Sequence, residues 1–116
     1  MLKKKIGRTV RKTKRKISKE FYKSKAWIKL ALLTKELYGR KCMKCNKTKG
    51  RHHSDHIIPR SLRPDLGLDI HNIQLLCKAC NLAKGNTNSI DYRTSTHKEI
   101  LNLYLISKIT IEKQNT

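Results

Sequence analysis

Two Cys-x-x-Cys pairs constrain the fold of this chain more than any other feature. Cys42 and Cys45 form the first pair, Cys77 and Cys80 form the second, and 31 residues separate the pairs. Two residues between thiols allow both sulfurs to bend around one tetrahedral ion, so the two pairs can supply four thiolate ligands. Protein would then fill every position around the ion, which predicts a structural Zn²⁺ site that stabilises a small fold.

Two disulfides, or a redox-active Cys-x-x-Cys, are the alternatives to zinc. The N-terminus has no apolar stretch of the signal-peptide type, so we expect a cytoplasmic protein. In a reducing compartment, paired cysteines are more often metal ligands than disulfides, and a redox motif would be expected beside a βαβ pattern, which this sequence lacks. These considerations favour zinc.

The charge of the chain indicates its partner. Its 116 residues include 28 Lys and Arg against 8 Asp and Glu, a net charge of +20. This predicts a polyanionic partner, with nucleic acid ahead of a membrane surface. Residues 1–19 hold ten of the basic residues and no acid. We expect a basic arm there, either a flexible solvated tail or a DNA-binding segment that contacts phosphates through Arg11, Lys12, Lys14, Arg15 and Lys16.

Apolar periodicity and turn residues predict short helices around one hairpin. Residues 20–38 have helical spacing, with Trp27 as a core anchor and Gly39 as the stop. Residues 40–59 suit a β-hairpin that ends at Pro59. Residues 77–84 suit a short helix ended by Gly85, and residues 96–113 a last helix. The expected fold is therefore α+β, with an arm over 1–19, a domain over 20–95 and a helical extension over 96–116.

Several short motifs occur in a specific order around the cysteines. They are Asp55-His56-Ile57-Ile58-Pro59, then Asn72-Ile73-Gln74-x-Leu76-Cys77-x-x-Cys80-Asn81-x-x-Lys84, preceded by the segment Phe21 to Trp27. Together with Cys42-x-x-Cys45 they resemble the HNH endonuclease family, in its branch with a four-cysteine zinc site. The resemblance covers residues 21–85. It implies a small, zinc-stapled ββα-metal module with flanking helices.

The resemblance also implies a role for each motif residue in DNA hydrolysis. His56 would be the general base, and Asn72 would orient it. Asp55 and Asn81 would bind a catalytic Mg²⁺ or Mn²⁺ ion, since hard oxygen ligands suit these metals. Asn81 stands where many relatives have a third histidine. Lys84 shares a helix face with Asn81 and could approach a phosphate. His53, two residues before Asp55 along a strand, is a candidate contact to metal or DNA.

Two other kinds of protein fit the charge and the cysteines. One is a non-catalytic zinc-ribbon module that binds nucleic acid, and the other is a basic zinc protein of an RNA–protein assembly. Neither explains why Asp-His, Asn and Asn-x-x-Lys occur together. The small size fits a nuclease of a phage or mobile element in a bacterial host, where a DNA-packaging or other protein partner is an open alternative. The DNA target and the oligomeric state are not encoded in any recognisable motif.

Overall fold

A computed structural model describes residues 2–114, with side chains from Gly7 onward. Helix α1 spans Leu2–Lys23 and helix α2 spans Lys25–Tyr38. Strand β1 spans His52–His56 and strand β2 spans Ile73–Cys77. Helix α3 follows at Lys78–Lys84, and helix α4 spans Ser95–Gln114. This mixed architecture with one two-stranded sheet confirms the predicted α+β class. No helix in the described part of the chain is long and apolar enough to cross a membrane.

Strands β1 and β2 pair antiparallel and lead into α3, which gives a ββα unit. The register places Asp55 opposite Gln74 and His56 opposite Ile73. Helices α2 and α3 each contact both strands. All five residues of β2 are buried. A strand covered on both faces is expected to be a continuous apolar run, and Gln74 interrupts that run.

The predicted hairpin over residues 40–59 was wrong in its pairing. Residues 40–51 contain no strand, and β1 pairs with Ile73–Cys77 rather than with a neighbouring segment. Cys42 to Cys45 forms a tight turn instead, closed by a hydrogen bond from the Asn46 amide to the Cys42 carbonyl of 2.9 Å. The Cys-x-x-Cys spacing of this pair therefore occurs in a turn and not in a strand.

The single helix predicted over residues 20–38 is two helices. Ser24 separates them: its hydroxyl donates to the Phe21 carbonyl at 2.6 Å, and its oxygen accepts the Trp27 amide at 3.2 Å. Ser24 is thus the N-cap of α2, a role that serine favours because its side chain satisfies an amide with no partner in the first turn. Trp27 is buried, as predicted, and Gly39 ends α2 with a positive φ of 78°.

The remaining helices lie close to their predicted positions. Helix α3 ends at Gly85, and α4 covers the segment predicted as the last helix. The basic segment, for which a flexible tail was one expectation, is helical in α1. Met1 and residues 115–116, at the ends of the predicted arm and extension, lie outside the described residues.

Candidate active site

Asp55 and His56 are the last two residues of β1. This strand pairs with β2 along one edge, and no other strand of the described residues pairs with its other edge. Neighbouring residues of a strand point to opposite faces, so a site that uses both must lie at the strand end or along a free edge. The structure provides that geometry. A cleft of about 1100 Å³ runs beside β1, and Asp55, His56 and Asn81 all line it. Three predicted site residues therefore share one cavity.

The imidazole of His56 is held on two sides. Its Nε2 lies 2.9 Å from the Gly67 carbonyl, and its ring stacks on Trp27 with centroids 4.7 Å apart. A carbonyl can only accept, so Nε2 carries the proton and the unprotonated nitrogen is Nδ1. No described residue hydrogen-bonds to Nδ1. Burial lowers the pKa of His56 and the nearby Arg60 lowers it further, although the Gly67 carbonyl opposes them, so the ring is neutral near pH 7.

Gly67 owes its identity to close packing. A Cβ atom at this position would lie 3.2 Å from the Phe21 ring and 3.2 Å from the Pro64 carbonyl, closer than most real Cβ contacts. Glycine therefore lets the chain bring its carbonyl to His56 while Phe21 packs against it.

Asn72, the predicted orienting residue, makes its hydrogen bonds to backbone atoms and none to His56 itself. Its Oδ1 accepts the Ile58 amide at 2.9 Å, and its Nδ2 donates to the Ile58 carbonyl at 3.1 Å and the Leu66 carbonyl at 3.5 Å. These bonds fix the segment that follows His56 and the residue that precedes Gly67. The direct hydrogen-bond partner of the imidazole is Gly67.

The carboxylate of Asp55 is held through one oxygen. Gln74 donates to Oδ2 at 3.1 Å, and the ammonium of Lys84 lies 3.2 Å from the same atom. Oδ1 has no hydrogen-bond or ion-pair partner among residues 7–114. Gln74 is itself fixed by the Ile90 carbonyl and the Tyr92 amide. One oxygen of Asp55 is thus anchored and the other is available to a ligand.

Lys84 does not occupy the exposed position that phosphate contact requires. Its side chain is buried, at 3% exposure, and its ammonium also donates to the His56 carbonyl at 3.0 Å. The prediction of a phosphate-binding Lys84 is corrected accordingly. A lysine at this depth is stable because a carboxylate pairs with it, so its position follows from Asp55.

Asn81 and His53 both line the cleft and have polar atoms without a hydrogen-bond partner among the described residues. The Asn81 side chain is half-buried and makes no hydrogen bond within the described part of the chain. His53 lies on the Asp55 face of β1, and its Nε2 is buried without a hydrogen-bond partner among the described residues. Burial lowers the pKa of His53, as do the charges of Arg51 and Lys35. The Asn81 side chain can accept a ligand from the cleft, whereas His53 Nε2 is buried, and the roles of both residues stay predictions.

The four cysteines come together as predicted. Their sulfurs all lie within 4.8 Å of one another, and Cys45 Sγ is 3.7 Å from Cys77 Sγ. Tetrahedral zinc with bonds of about 2.3 Å places sulfurs about 3.8 Å apart, whereas a disulfide requires about 2.05 Å. In each pair the second amide donates to the first sulfur at 3.5 Å. This arrangement fits one metal ion, and the four cysteines form no disulfide in this structure.

The thiols of the cluster differ in acidity. Burial raises the pKa of Cys42, but backbone amides that donate to its sulfur lower it more, to about 6. Burial and the hydrogen bonds of the other three thiols raise the pKa of Cys80 to about 12. A bound divalent ion reverses the second effect, because a coordinated thiol loses its proton.

The basic residues of α1 are divided between two faces. Lys14 lines the active-site cleft together with Ile17 and Ser18. Lys12, Arg15 and Lys16 line a separate groove. Arg11 donates to the Gly7 carbonyl at 3.3 Å and is exposed. Of the five arm residues predicted to bind DNA, Lys14 is the one beside the cleft.

Three groups in this site had no predicted role: Gly67, Gln74 and Arg60. A polar residue inside a buried apolar strand was a usable signal for Gln74. For Gly67 the sequence offers no such signal, because the residue meets His56 through a contact eleven positions away.

One comparison with known proteins found a match, and that match covers the ββα unit and its cysteines. Residues 42–87 match the family model described as HNH endonuclease. The match covers both cysteine pairs, β1, β2 and α3. Searches of curated proteins and of solved structures returned no match.

Proposed function

We propose that this protein, whose residues 42–87 are an HNH endonuclease domain, is a metal-dependent DNA endonuclease that leaves 5′-phosphate and 3′-hydroxyl ends. The observation that carries the proposal is the convergence of Asp55, His56 and Asn81 on one cleft. Binding alone does not require a buried carboxylate with one open oxygen beside a neutral imidazole with one open nitrogen.

His56 takes the role of general base in this proposal. The bond from Nε2 to Gly67 fixes the tautomer, so Nδ1 can remove a proton from the attacking water. Stacking on Trp27 prevents the ring from rotating away from the cleft. Asn72 supports this geometry by fixing the segments on both sides of the imidazole.

Asp55 and Asn81 would hold the catalytic ion. A carboxylate and an amide oxygen suit Mg²⁺ or Mn²⁺, and both side chains keep an open oxygen in the cleft. Such an ion, when bound, stabilises negative charge on the phosphate and the leaving oxygen. Gln74 and Lys84 position Asp55 through Oδ2. The Zn²⁺ of the four cysteines is structural, since it has no open ligand position.

Conversion of supercoiled plasmid to nicked and linear forms tests the activity. Zinc-loaded protein should cut when Mg²⁺ or Mn²⁺ is added and should not cut when these ions are omitted. Omission is preferable to a chelator, which would also remove zinc. A gel shift in which the protein binds the plasmid but leaves it uncut, with metal added, would support the alternative of a non-catalytic zinc-ribbon module.

Replacing Asp55 with asparagine should weaken catalytic metal binding, with a smaller loss of stability than alanine would cause, which the melting temperature of each variant measures. Asparagine still accepts hydrogen bonds from Gln74 and Lys84, whereas alanine would leave a buried ammonium unpaired. We expect the Mg²⁺ concentration for half-maximal cleavage to rise by about 10–100-fold, by analogy with perturbed metal sites. Asn81→Ala should behave similarly. Cleavage titrated with Mg²⁺ measures both, and an unchanged midpoint in both variants would contradict their role as ligands.

The basic residues of α1 should supply affinity without sequence preference. A variant with glutamine at five basic positions should bind DNA more weakly, and the log–log slope of its affinity against salt should be flatter by about 0.9 for each phosphate that the helix no longer neutralises. The five positions are Arg11, Lys12, Lys14, Arg15 and Lys16. Glutamine at the exposed Lys98 and Lys108 of α4 is the control. Fluorescence anisotropy over a salt series gives both slopes. Equal slopes for the α1 variant and the unaltered chain would rule out these five residues as DNA contacts.

The biological setting that we propose is the cytoplasm of a bacterial host, with the gene carried by a phage or mobile element. Support for the compartment comes from the four cysteines, which are free thiols and suit a reducing environment.

A further inference from the structure

The geometry points to Arg60 as a phosphate-binding residue of the cleft, which holds the scissile phosphate while His56 acts on the attacking water. This inference rests on the proposed endonuclease function. Arg60 follows the Asp-His-Ile-Ile-Pro motif and lies four positions after His56 in the sequence. Its side chain lines the same cleft as Asp55, His56 and Asn81.

An aromatic surface fixes the guanidinium of Arg60. Its central carbon lies 3.5 Å from the centroid of the Phe21 ring and 5.3 Å from that of Tyr22. Phe21 also lies 5.8 Å, centroid to centroid, from the His56 ring. One phenyl ring therefore contacts both the proposed base and the arginine. Stacking of this kind holds a guanidinium in place without occupying its N–H groups.

The donors of Arg60 are open, unlike those of two other arginines. Arg63 donates to both oxygens of Asp65, and Arg93 donates to both oxygens of Asp91. Arg60 makes no hydrogen bond or ion pair with any residue in 7–114. A half-buried guanidinium that keeps its N–H groups unpaired beside a cleft is arranged for an anion that comes from outside the chain.

The shape of the group selects the ligand. A guanidinium presents parallel N–H donors that match two oxygens of one phosphate, and a lysine in the same place would act as a point charge. Lys84 is unavailable for this task because it is paired with Asp55. Arg60 thus takes the role of phosphate contact that the sequence had led us to expect from Lys84.

Substitution of Arg60 distinguishes a role in holding the scissile phosphate during cleavage from a contribution to overall DNA affinity. Removal of one preorganised donor typically lowers a rate by about 10²–10³-fold, and we expect that decrease in single-turnover cleavage by Arg60→Ala. DNA affinity at fixed salt should change much less. Arg60→Lys should be intermediate. Arg63→Ala, in the same loop but paired with Asp65, is the matched control and should cleave at the rate of the unaltered chain.

Chemical rescue makes the test independent of stability. Guanidinium ion at millimolar concentration should restore part of the activity of Arg60→Ala and have no such effect on Arg63→Ala. Zinc content and melting temperature, measured on each variant, report whether the fold is retained. Full activity of Arg60→Ala, or reduced activity without rescue in a folded variant, would overturn the role of Arg60. Failure of the unaltered chain to cleave would overturn the proposed function and this inference together.

Discussion

Replacing His56 with glutamine should lower single-turnover DNA cleavage by about 10²–10⁴-fold, the usual contribution of a positioned base. Glutamine can still donate a hydrogen bond to the Gly67 carbonyl, but it cannot take a proton from water. Affinity for DNA should change little, because the imidazole is 6% exposed and neutral. A labelled duplex, saturated with protein and quenched at intervals, gives the rate without interference from product release.

His71 provides the matched control for this variant. It is an exposed histidine, bonded to Asp69 through Nδ1 at 3.0 Å, and it lies outside the cleft. His71→Gln should cleave at the rate of the unaltered chain. A folded His56→Gln protein that cleaves as fast as His71→Gln would remove His56 from the mechanism.

Replacing Cys42 with serine should abolish stable folding of the ββα unit. Cys42 is fully buried and packs with Leu76 and Cys77, so the change removes a thiolate from the metal site and leaves a hydroxyl in the core. Zinc contributes on the order of 10 kcal/mol or more to small sites of this type, which exceeds the total stability of many domains. Thermal unfolding and a zinc assay on the same preparation would measure the effect.

A chelator should produce the same change in the unaltered chain. Added Zn²⁺ should reverse it, while added Mg²⁺ should not, because four thiolates prefer the softer ion. The helices α1 and α4 can keep some far-UV signal, so the dispersion of amide resonances is the better readout of the ββα unit. Native dispersion in a zinc-free Cys42→Ser protein would show that the metal is not structural.

The sequence predicts the parts of this fold that depend on local chemistry. The Cys-x-x-Cys turns, the end of α2 at Gly39 and the end of α3 at Gly85 follow from residues within a few positions of each other. Even here, Ser24 was missed as an N-cap. The helical pattern continues across it, so periodicity alone does not reveal the break.

Strand pairing depended on contacts that the sequence pattern does not display. The segment before β1 is the turn of the first cysteine pair. The strand that pairs with β1 begins at Ile73, seventeen positions after the last residue of β1. A metal ion held by the four cysteines would tie Cys42 and Cys45 to the end of β2. A local hairpin was the simpler interpretation because it requires no such constraint.

The candidate site was predictable in its motif residues but not in the residues that support them. Asp55, His56 and Asn81 reach one cleft, as the resemblance implied. Lys84 was misjudged because burial and pairing with Asp55 depend on how α3 packs on the sheet. Arg60 and Gly67 both pack against Phe21, which belongs to α1 and is distant from them in the sequence.

The chemistry of the cut ends tests the central claim most directly. A defined duplex, incubated with zinc-loaded protein and Mg²⁺, should yield fragments that carry 5′-phosphate and 3′-hydroxyl groups, as shown by end-labelling and mass spectrometry. No fragments should form when Mg²⁺ is omitted. A duplex that the protein binds but leaves intact at every Mg²⁺ and Mn²⁺ concentration would contradict the assignment of an endonuclease.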